Sequence, residues 1–476
     1  MTLVIMKFGG SCLKDKKAFE KIAEITNIYK YSKKIYVASA LKGVTDMLIK
    51  AAHNVKNKKD VDKNIALIEK KHLDMIEEIF DQETEHYSNC KDWIDKKMSE
   101  LEDCIADIEE FGLEPYYIDY ISGFGEILST YILNQYLESQ GFDSVFISAN
   151  NIIITNDNFN NAYPLYKLTN ARIKQHIVPL LDNPKEDTIF CITGFIGRNK
   201  IGYTTTLGRG GSDYTATILA RSFYDECTDK DIKIILWKDV DGLLSINPKY
   251  VSDSILIKNL DYAEAKQIAN FGAKVLHPKC LEAIEERKIP LEIRNFDKPL
   301  EKDNYTIISE ITNKDQIKGI SAIEDATVIT IISGSMVDVP GVLGKIFEVM
   351  GKNKISVSFV AQSSSEISTS FVINGFDTEK ATNALNNEEF FSEFYHINWE
   401  PISIINITGL KVLDNKTKSD IFSALAKKNV NVKGISQSND ELNLSLLVNK
   451  DKLLDGINIV YDDLCEEFEN EKCSDK

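Results

Sequence analysis

The run TTTLGRGGSD, residues 204–213, concentrates more chemically useful groups than any other stretch of this sequence. Four hydroxyls, three glycines, an arginine and an aspartate lead into a predicted helix over 213–224. Glycines let backbone N–H groups approach an anion closely, and the amino end of a helix favours negative charge. Arg209 carries a planar fork that matches a carboxylate. The run therefore predicts an anion-binding site, and the alternative is a surface loop that carries polar side chains without a ligand.

A second polar loop, Gly9-Gly10-Ser11, follows the apolar run at 2–8, in which Lys7 is the last residue but one. Two glycines after a strand allow backbone donors to reach phosphate oxygens, and the lysine adds a point charge. This spacing favours a phosphate loop. The alternative is an ordinary turn at the end of a strand.

Two more loops offer groups to a polar ligand. The segment SALKGVTD, residues 39–46, presents the hydroxyls of Ser39 and Thr45, although Thr45 is equally suited to cap a helix. The segment SGFGE, residues 122–126, ends at Glu126. That carboxylate is suited to hold a substrate ammonium, and the alternative is that it simply favours the amino end of a helix.

The elements that must position these loops alternate between strands and helices. Apolar runs typical of buried parallel strands lie at 2–8, 35–40, 144–148, 188–193, 232–237 and 290–294. Helical patterns lie between them at 16–29, 126–139, 213–224 and 261–271. This alternation predicts an α/β core with a parallel sheet, whose carboxyl ends would bring the polar loops to one edge.

Three other regions complete the organisation of the chain. Residues 60–112 are charge-rich with apolar residues at helical spacing, which predicts a packed pair of antiparallel helices or, alternatively, a lid or a partner-binding coil. The chain becomes polar around 297–322, which marks a boundary. After it, a βαββα order occurs twice over 326–470, which predicts two small α+β modules side by side.

Composition excludes several classes of protein. The chain has 476 residues and a formal net charge of −17, which disfavours nucleic acid and anionic membranes as partners. No apolar run approaches the roughly 18–20 residues of a membrane span, and the N-terminus lacks the pattern of a signal peptide. The eight cysteines have no metal-site or redox spacing. We expect a soluble cytoplasmic protein with reduced thiols and no protein-built metal site.

The familiar catalytic signatures are missing from the sequence. It contains no Walker-type P-loop, no GxGxxG after a strand and no HExxH. His277, within the tripeptide LHP, is expected to cap or pack rather than to catalyse.

The loops taken together resemble the aspartokinase family of the amino-acid kinase superfamily. KFGGS, SALKGVTD, SGFGE, GFIG, TTTLGRGGSDYTA and FGAKVLHP occur in the order of that family, and the repeat over 326–470 is similar to its paired ACT modules. The resemblance implies a three-layer αβα sandwich with a mainly parallel sheet plus two ferredoxin-like ACT domains. The domains expected from it are a kinase domain at 1–300, a linker at 301–325 and ACT domains at 326–395 and 396–476.

The activity implied by the resemblance is transfer of the γ-phosphoryl group of ATP, with Mg²⁺, to the side-chain carboxylate of L-aspartate. This is the first step toward lysine, threonine and methionine. By family match the catalytic residues are Lys7 and Asp213, and the substrate-binding residues are Ser39, Thr45, Glu126, Arg209 and Ser212. The nucleotide-binding residues are Lys7, Gly9, Gly10, Ser11, Lys238, Asp239, Lys249 and Lys274.

The departures from the family lie mostly on the nucleotide side. Lys238 stands where a threonine is usual, Leu244 replaces a common aromatic and Lys249 replaces an arginine. Cys12 stands where a serine is usual. An Asp-x-Arg element expected after the strand at 144–148 is replaced by Asn150-Asn151.

Paired ACT modules imply a homodimer, with a tetramer as an alternative, and feedback by an end-product amino acid. The effector contacts implied by the resemblance are Met336, Asp338, Val342, Leu343, Ser356, Val357, Ser365 and Glu366, although the apolar ones are equally suited to core packing. Lysine is the first expectation and threonine the second. Because no dehydrogenase region follows residue 476, we expect a monofunctional kinase.

Two rival functions remain open at this point. One is a sibling kinase that acts on another carboxylate. The other is a catalytically weak amino-acid sensor whose nucleotide loop, residues 238–249, has drifted.

Overall fold

The computed structural model describes residues 2–181, 188–227, 231–271, 275–301, 303–310, 316–333, 340–363, 365, 367–391, 395–437 and 442–473. The chain divides into two compact units. The first comprises Met1–Leu243, Lys258–Tyr262 and Lys274–Ile311, and the second comprises Leu244–Ile257, Ala263–Ala273 and Thr312–Lys476.

The strands of the first unit are β1 (Leu3–Phe8), β2 (Lys33–Ala38), β3 (Ser144–Ile147), β4 (Ile189–Thr193), β5 (Ile196–Arg198), β6 (Thr204–Thr206), β7 (Ile232–Lys238), β8 (Asn259–Leu260), β9 (Leu291–Asn295) and β10 (Thr306–Ile308). Eight of them form one sheet in the order β3-β4-β2-β1-β7-β9-β10-β8, and β5 pairs with β6 separately. All pairs in the large sheet are parallel except β9 with β10. The predicted parallel sheet is therefore confirmed.

The helices of this part of the chain are α1 (Lys16–Ile28), α2 (Val44–His53), α3 (Lys58–Ile79), α4 (Glu85–Phe111), α5 (Pro115–Ser122), α6 (Phe124–Ser139), α7 (Tyr166–His176), α8 (Val178–Leu181), α9 (Gly211–Glu226), α10 (Tyr262–Phe271) and α11 (Pro278–Glu285). They include the four helices that the sequence predicted. Helix α10 belongs to the second unit from Ala263 onward. Helices α6 and α9 pack against strands of the large sheet, and β1, which is buried along its whole length, presents side chains on both faces of that sheet.

The second unit contains the predicted repeat. Its strands are β11 (Gly319–Ile332), β12 (Val357–Gln362), β13 (Ser368–Asn374), β14 (His396–Thr408), β15 (Val432–Ser436) and β16 (Asn443–Asn449), and its helices are α12 (Val342–Lys352), α13 (Thr378–Asn386), α14 (Asn415–Lys427) and α15 (Leu453–Cys473). The order β-α-β-β-α occurs twice, and both copies share one antiparallel sheet in the order β12-β13-β11-β14-β16-β15. The two-module prediction is confirmed.

The segment Leu244–Ile257 belongs to the second unit although its sequence neighbours lie in the first. Ile246 is buried in the core of the second module with Ile405 and Ile407. The backbone of Ser245 is hydrogen-bonded on both sides, because its N–H donates to Ile255 and its carbonyl accepts from Ile320, each at 2.7 Å. Apolar residues thus anchor this segment to the repeat.

None of the helices in the described ranges is long and apolar enough to cross a membrane.

The charge-rich region at 60–112 forms the long helices α3 and α4. Their apolar residues Ile68, Ile94 and Leu101 are fully buried. They belong to the same core cluster as Phe19 of α1 and Leu133 of α6. The packed helical pair is therefore the correct interpretation of the charge-rich pattern.

Truncating the buried face of α3 should destabilise the protein. Ile68→Ala is expected to lower the free energy of unfolding by about 2–5 kcal/mol, because it leaves a cavity in a closed core. The neighbouring Leu67→Ala, at a side chain that is 44 % exposed, should change it by about 0.5 kcal/mol or less. Denaturant unfolding of both variants measures the difference, and equal small effects would mean that α3 is a loosely attached lid.

Candidate active site

The four polar loops predicted from the sequence meet at one cavity of about 380 Å³ in the first unit. Two of the loops follow the neighbouring parallel strands β1 and β2, whose carboxyl ends lie at the same edge of the sheet. The loop at 122–126 instead joins α5 to α6, and the run at 204–213 includes β6, which pairs antiparallel with β5. The predicted residues that line the cavity are Lys7, Gly10, Ser39, Thr45, Glu126, Arg209, Ser212 and Asp213. The sequence therefore identified residues that are far apart in the chain but close in space.

A buried ion cluster lies at one end of this cavity. Lys7 Nζ is 2.8 Å from Asp213 Oδ1, and Lys238 Nζ donates a hydrogen bond of 2.6 Å to Asp213 Oδ2. One carboxylate thus pairs with two ammonium groups, and the cluster carries a net charge of +1. Because a buried net charge is costly without a partner, this end of the cavity favours an anionic ligand.

The ionisation of the cluster follows from its geometry. Burial alone would raise the pKa of Asp213, but Lys7 and Lys238 outweigh it and hold that pKa at about 2. Burial lowers the pKa of Lys7, and the attraction of Asp213 more than reverses this, so that the pKa is raised. The pKa of Lys238 is lowered because burial and the repulsion of Lys7 outweigh the attraction of Asp213. Asp213 is therefore an anion throughout the physiological pH range.

Glycines allow the loops to approach the cluster. A Cβ at Gly10 would lie 2.9 Å from the carbonyl oxygen of Ala40, and one at Gly125 would lie 2.6 Å from the Cβ of Ala40. Ser129 also holds this loop, since its hydroxyl donates 2.7 Å to the carbonyl of Ser39. The backbone of 39–45 is consequently clamped between the KFGGS loop and helix α6.

The turn before α9 is built on two glycines with left-handed backbones, Gly208 (φ 79°) and Gly210 (φ 71°). A Cβ at Gly210 would also lie 2.9 Å from the Cβ of His277. His277 itself caps α11 by accepting a hydrogen bond of 3.3 Å from the N–H of Lys279, as the sequence predicted. Arg209 lies between the two glycines and lines the cavity, and Asp213 follows in the first turn of α9.

Glu126 lines the cavity from the first turn of α6. It is 4 % exposed, and its Oε2 atom has no hydrogen-bond partner among the described residues. Burial raises the pKa of this carboxyl to about 8, although backbone hydrogen bonds and Lys7 oppose the shift. A buried carboxyl oxygen without a donor, such as this Oε2, is suited to receive one from a ligand.

Other predicted site residues lie elsewhere or outside the described ranges. Gly9 and Ser11 flank Gly10. Asp239 is exposed immediately after β7. Lys249 belongs to the second unit, where its ammonium lies 2.7 Å from Glu324 Oε1. Lys274 lies outside the described residues.

The predicted effector contacts fall in the first module of the second unit. Val342 and Leu343 begin α12, Val342 being buried and Leu343 partly buried in the core of that module. Ser356 and Val357 stand at the start of β12. Ser365 precedes β13, and Met336, Asp338 and Glu366 lie outside the described residues.

Sequence reasoning missed Asp119 on α5. This residue is fully buried, and its carboxylate accepts a hydrogen bond from the backbone N–H of Thr206 in β6. The only signal in the sequence was an aspartate inside the otherwise apolar and aromatic stretch PYYIDYIS. A local pattern does not reveal the partner, because Thr206 lies 87 residues away.

Comparison with known proteins agrees with this arrangement. Residues 2–295 match the amino acid kinase family, and residues 329–389 and 413–464 match an ACT domain. The chain is 29 % identical over 473 residues to a bifunctional aspartokinase/homoserine dehydrogenase of Buchnera aphidicola, covering 97 % of this chain and 56 % of that protein. It is 29 % identical to Aspartokinase 1, chloroplastic, of Arabidopsis thaliana, covering 94 % of this chain and 77 % of that protein.

Solved structures show the same fold. The crystal structure of E. coli aspartokinase III with aspartate and ADP matches with a TM-score of 0.80 at 23 % identity, covering 97 % of this chain and 99 % of that one. The complex of the same E. coli protein with lysine and aspartate matches with a TM-score of 0.77. The chain spans about half the length of the bifunctional relatives that it matches. On the match of residues 2–295, followed by ACT domains, the chain belongs to the amino acid kinase family.

Proposed function

We propose that this protein is an aspartate kinase that transfers the γ-phosphoryl group of ATP to the side-chain carboxylate of L-aspartate. The observation that carries the proposal is one cavity lined by Arg209, by Lys7 and Asp213 of the cationic cluster Lys7–Asp213–Lys238, and by Glu126, whose buried Oε2 has no donor among the described residues. The cluster suits phosphates, and the other two groups suit an amino acid. The aspartokinase relatives support the choice of aspartate.

The reaction needs positioning and charge neutralisation rather than a strong base. A carboxylate oxygen of aspartate attacks the γ-phosphorus, and the bond from that phosphorus to the oxygen bridging to the β-phosphate breaks. The electron pair leaves with ADP, and no proton has to be removed from the acceptor. Both reactants are anions, so the barrier is lowered by cations placed where negative charge develops.

Lys7 and Lys238 are the proposed cations at the transferring phosphoryl group. Both are paired with Asp213, which lines the cavity and orients the two ammonium groups before the nucleotide binds. The loop of Gly9, Gly10 and Ser11 is proposed to bring backbone N–H groups to the phosphates.

The acceptor is proposed to bind at the other groups of the cavity. Arg209 forms two parallel hydrogen bonds with a carboxylate of aspartate, and Glu126 receives its ammonium group. Ser39, Thr45 and Ser212 also line the cavity and supply hydroxyls to the acceptor. These assignments rest on the residues that line the cavity and on the resemblance of their motifs.

The remaining nucleotide contacts are proposed from the resemblance alone. They are Asp239, Lys249 and Lys274. Among the described residues no group of three or more His, Cys, Asp or Glu side chains is placed to hold a metal ion. We infer that Mg²⁺ enters with ATP, bound to its phosphates, and there supplies further positive charge.

The second unit is proposed to form a homodimer and to bind a feedback effector, with lysine as the proposed effector. E. coli aspartokinase III, which shares the fold, has been crystallised with lysine. The proposed contacts are the eight residues predicted from the sequence in the first module. The reaction is proposed to take place in the cytoplasm. The free thiols of Cys12, Cys90, Cys104, Cys191 and Cys280 are compatible with a reducing compartment.

A hydroxamate assay with ATP, Mg²⁺ and aspartate tests the proposed reaction, because hydroxylamine traps an acyl phosphate. We expect product with aspartate. Product with another carboxylic acid but none with aspartate would identify a sibling kinase. Absence of product with every acid would favour an amino-acid sensor.

Three variants in this assay separate the proposed roles. Lys7→Ala should lower kcat by about a hundredfold or more, because a preorganised cation is lost. Lys238→Thr should mainly raise the KM for ATP, whereas Arg209→Lys should mainly raise the KM for aspartate, since a point charge does not replace a fork. Lys233→Thr, on the same strand as Lys238 but paired with Glu292, is the matched control.

The same assay tests the regulatory part of the proposal when lysine, threonine and methionine are added separately. Lysine is expected to inhibit more strongly than the other two. If threonine alone inhibits, threonine rather than lysine is the effector. If the rate with each of the three amino acids equals the rate without them, the proposal of feedback is wrong.

The pKa of Glu126 predicts how catalysis depends on pH. Because this pKa is raised to about 8, the carboxyl of the free enzyme is mostly protonated at pH 7 and gains its charge as the pH rises. An ammonium ligand needs the charged form, so kcat/KM for aspartate should rise from pH 6 through pH 8 and level off only about one pH unit above the pKa.

Glu126→Gln should remove this pH dependence and raise the KM for aspartate. Glu138→Gln, which changes another carboxyl on the same helix, should keep it. A flat wild-type profile between pH 6 and pH 8 would remove Glu126 from the ammonium site.

A further inference from the structure

Asp119 has an unusual environment for a carboxylate. It lies on α5 and is fully buried. Both of its oxygens accept from the backbone N–H of Asn160, at 3.0 and 2.9 Å. Oδ2 also accepts from the N–H of Thr206 at 2.7 Å, and Oδ1 accepts from the hydroxyl of Thr206 at 2.9 Å. The donors that the structure gives to this anion are therefore two backbone amides and one hydroxyl.

The two segments that donate to Asp119, at Asn160 and Thr206, both adjoin the turn at Gly208. Thr206 ends β6 and stands two residues before Gly208. Asn160 has a left-handed backbone with φ 63°, and its carbonyl oxygen would lie 3.1 Å from a Cβ at Gly208. The side-chain oxygen of the neighbouring Asn161 would lie only 2.8 Å from that Cβ. One carboxylate thus fastens both sides of the turn that carries Arg209.

The helix of Asp119 leads directly to Glu126. Helix α5 ends at Ser122, and α6 begins at Phe124 after the single residue Gly123. A Cβ at Gly123 would lie 2.9 Å from a side-chain methyl of Ile196, so this junction is tightly packed. A displacement of Asp119 relative to Thr206 therefore changes the position of Arg209 relative to Glu126.

We propose that Asp119 is a positioning residue that sets the spacing between Arg209 and Glu126, and so selects the length of the amino-acid acceptor. The inference rests on the proposed function, in which Arg209 binds a carboxylate of the acceptor and Glu126 binds its ammonium group. Asp119 lies outside the residues that line the cavity and acts through the strand and the turn that it holds.

The geometry requires a carboxylate at this position. Its two oxygens accept hydrogen bonds from Asn160 and Thr206 at the same time. An asparagine has the same shape but only one oxygen, and its NH₂ group would face a backbone N–H. A buried donor facing another donor is unfavourable, so at least one of the two segments should shift.

The test is a steady-state comparison of Asp119→Asn with the wild-type protein. The KM for aspartate should rise about tenfold while the KM for ATP and kcat stay within about threefold, because a misplaced clamp weakens acceptor binding selectively. Thr206→Val, which removes only the hydroxyl donor, should shift the KM for aspartate in the same direction by a smaller factor. Glu292→Gln alters another buried carboxylate of the first unit, paired with Lys233 and Arg294, and should leave the KM for aspartate unchanged.

A second readout follows the turn itself. Amide hydrogen–deuterium exchange in residues 156–163 and 204–212 should be faster in Asp119→Asn than in the wild type, and unchanged in Glu292→Gln. If Asp119→Asn does not fold, the KM for aspartate and the amide exchange of Thr206→Val are used to test the proposal instead.

The outcomes separate this inference from the proposed function. An unchanged KM for aspartate in a folded Asp119→Asn protein, or an equal loss in every kinetic constant, overturns the positioning role. If the wild type phosphorylates a different acid, the same KM comparison is made with that acid. If it phosphorylates none, the proposed function fails, and unchanged exchange at 204–212 would overturn the role of Asp119 as well.

Discussion

The site depends on one buried carboxylate shared by two ammonium groups. Asp213 lies 2.8 Å from Lys7 and 2.6 Å from Lys238, and removing the carboxylate would leave two like charges buried together. The sheet makes this arrangement possible, because β1 and β7 are neighbours and Phe8 pairs with Trp237 in the parallel register. Both lysines therefore reach the same edge of the sheet, where the first turn of α9 presents Asp213 to them.

Glycines make the dense loops around this cluster sterically possible. A Cβ at Gly194 would lie 2.6 Å from the Cβ of Ser212, and one at Gly211 would lie 2.5 Å from the ring of Phe195. Any larger residue would push these loops apart and move the amino end of α9 away from the two lysines. The glycines of GFIG and GRGGSD are thus required by close packing, in addition to any approach to a ligand.

Much of this architecture could be predicted from the sequence, because strands, helices and the repeated βαββα order are recorded in local patterns. Loops that follow neighbouring parallel strands gather at one edge, which places Lys7 of β1 beside the 39–46 loop after β2. Glu126 and Asp213 lie at the start of helices and were assigned to the same site through the order of their motifs. What could not be predicted depends on contacts between distant residues. Asp119 binds Thr206 across 87 positions, and Leu244–Ile257 packs with the second unit rather than with its sequence neighbours.

The cationic cluster stands out because the protein as a whole has a formal net charge of −17. At physiological ionic strength, exposed charges are screened beyond about 8 Å, so the acidic surface contributes little inside a buried site. Lys7 and Lys238 are largely withdrawn from water, and their interaction with an anion is screened far less. A surface of this charge disfavours polyanions, whereas the buried cluster of Lys7, Lys238 and Asp213 favours a small anionic ligand. The placement of three charges, rather than the total charge, therefore determines which ligands the site favours.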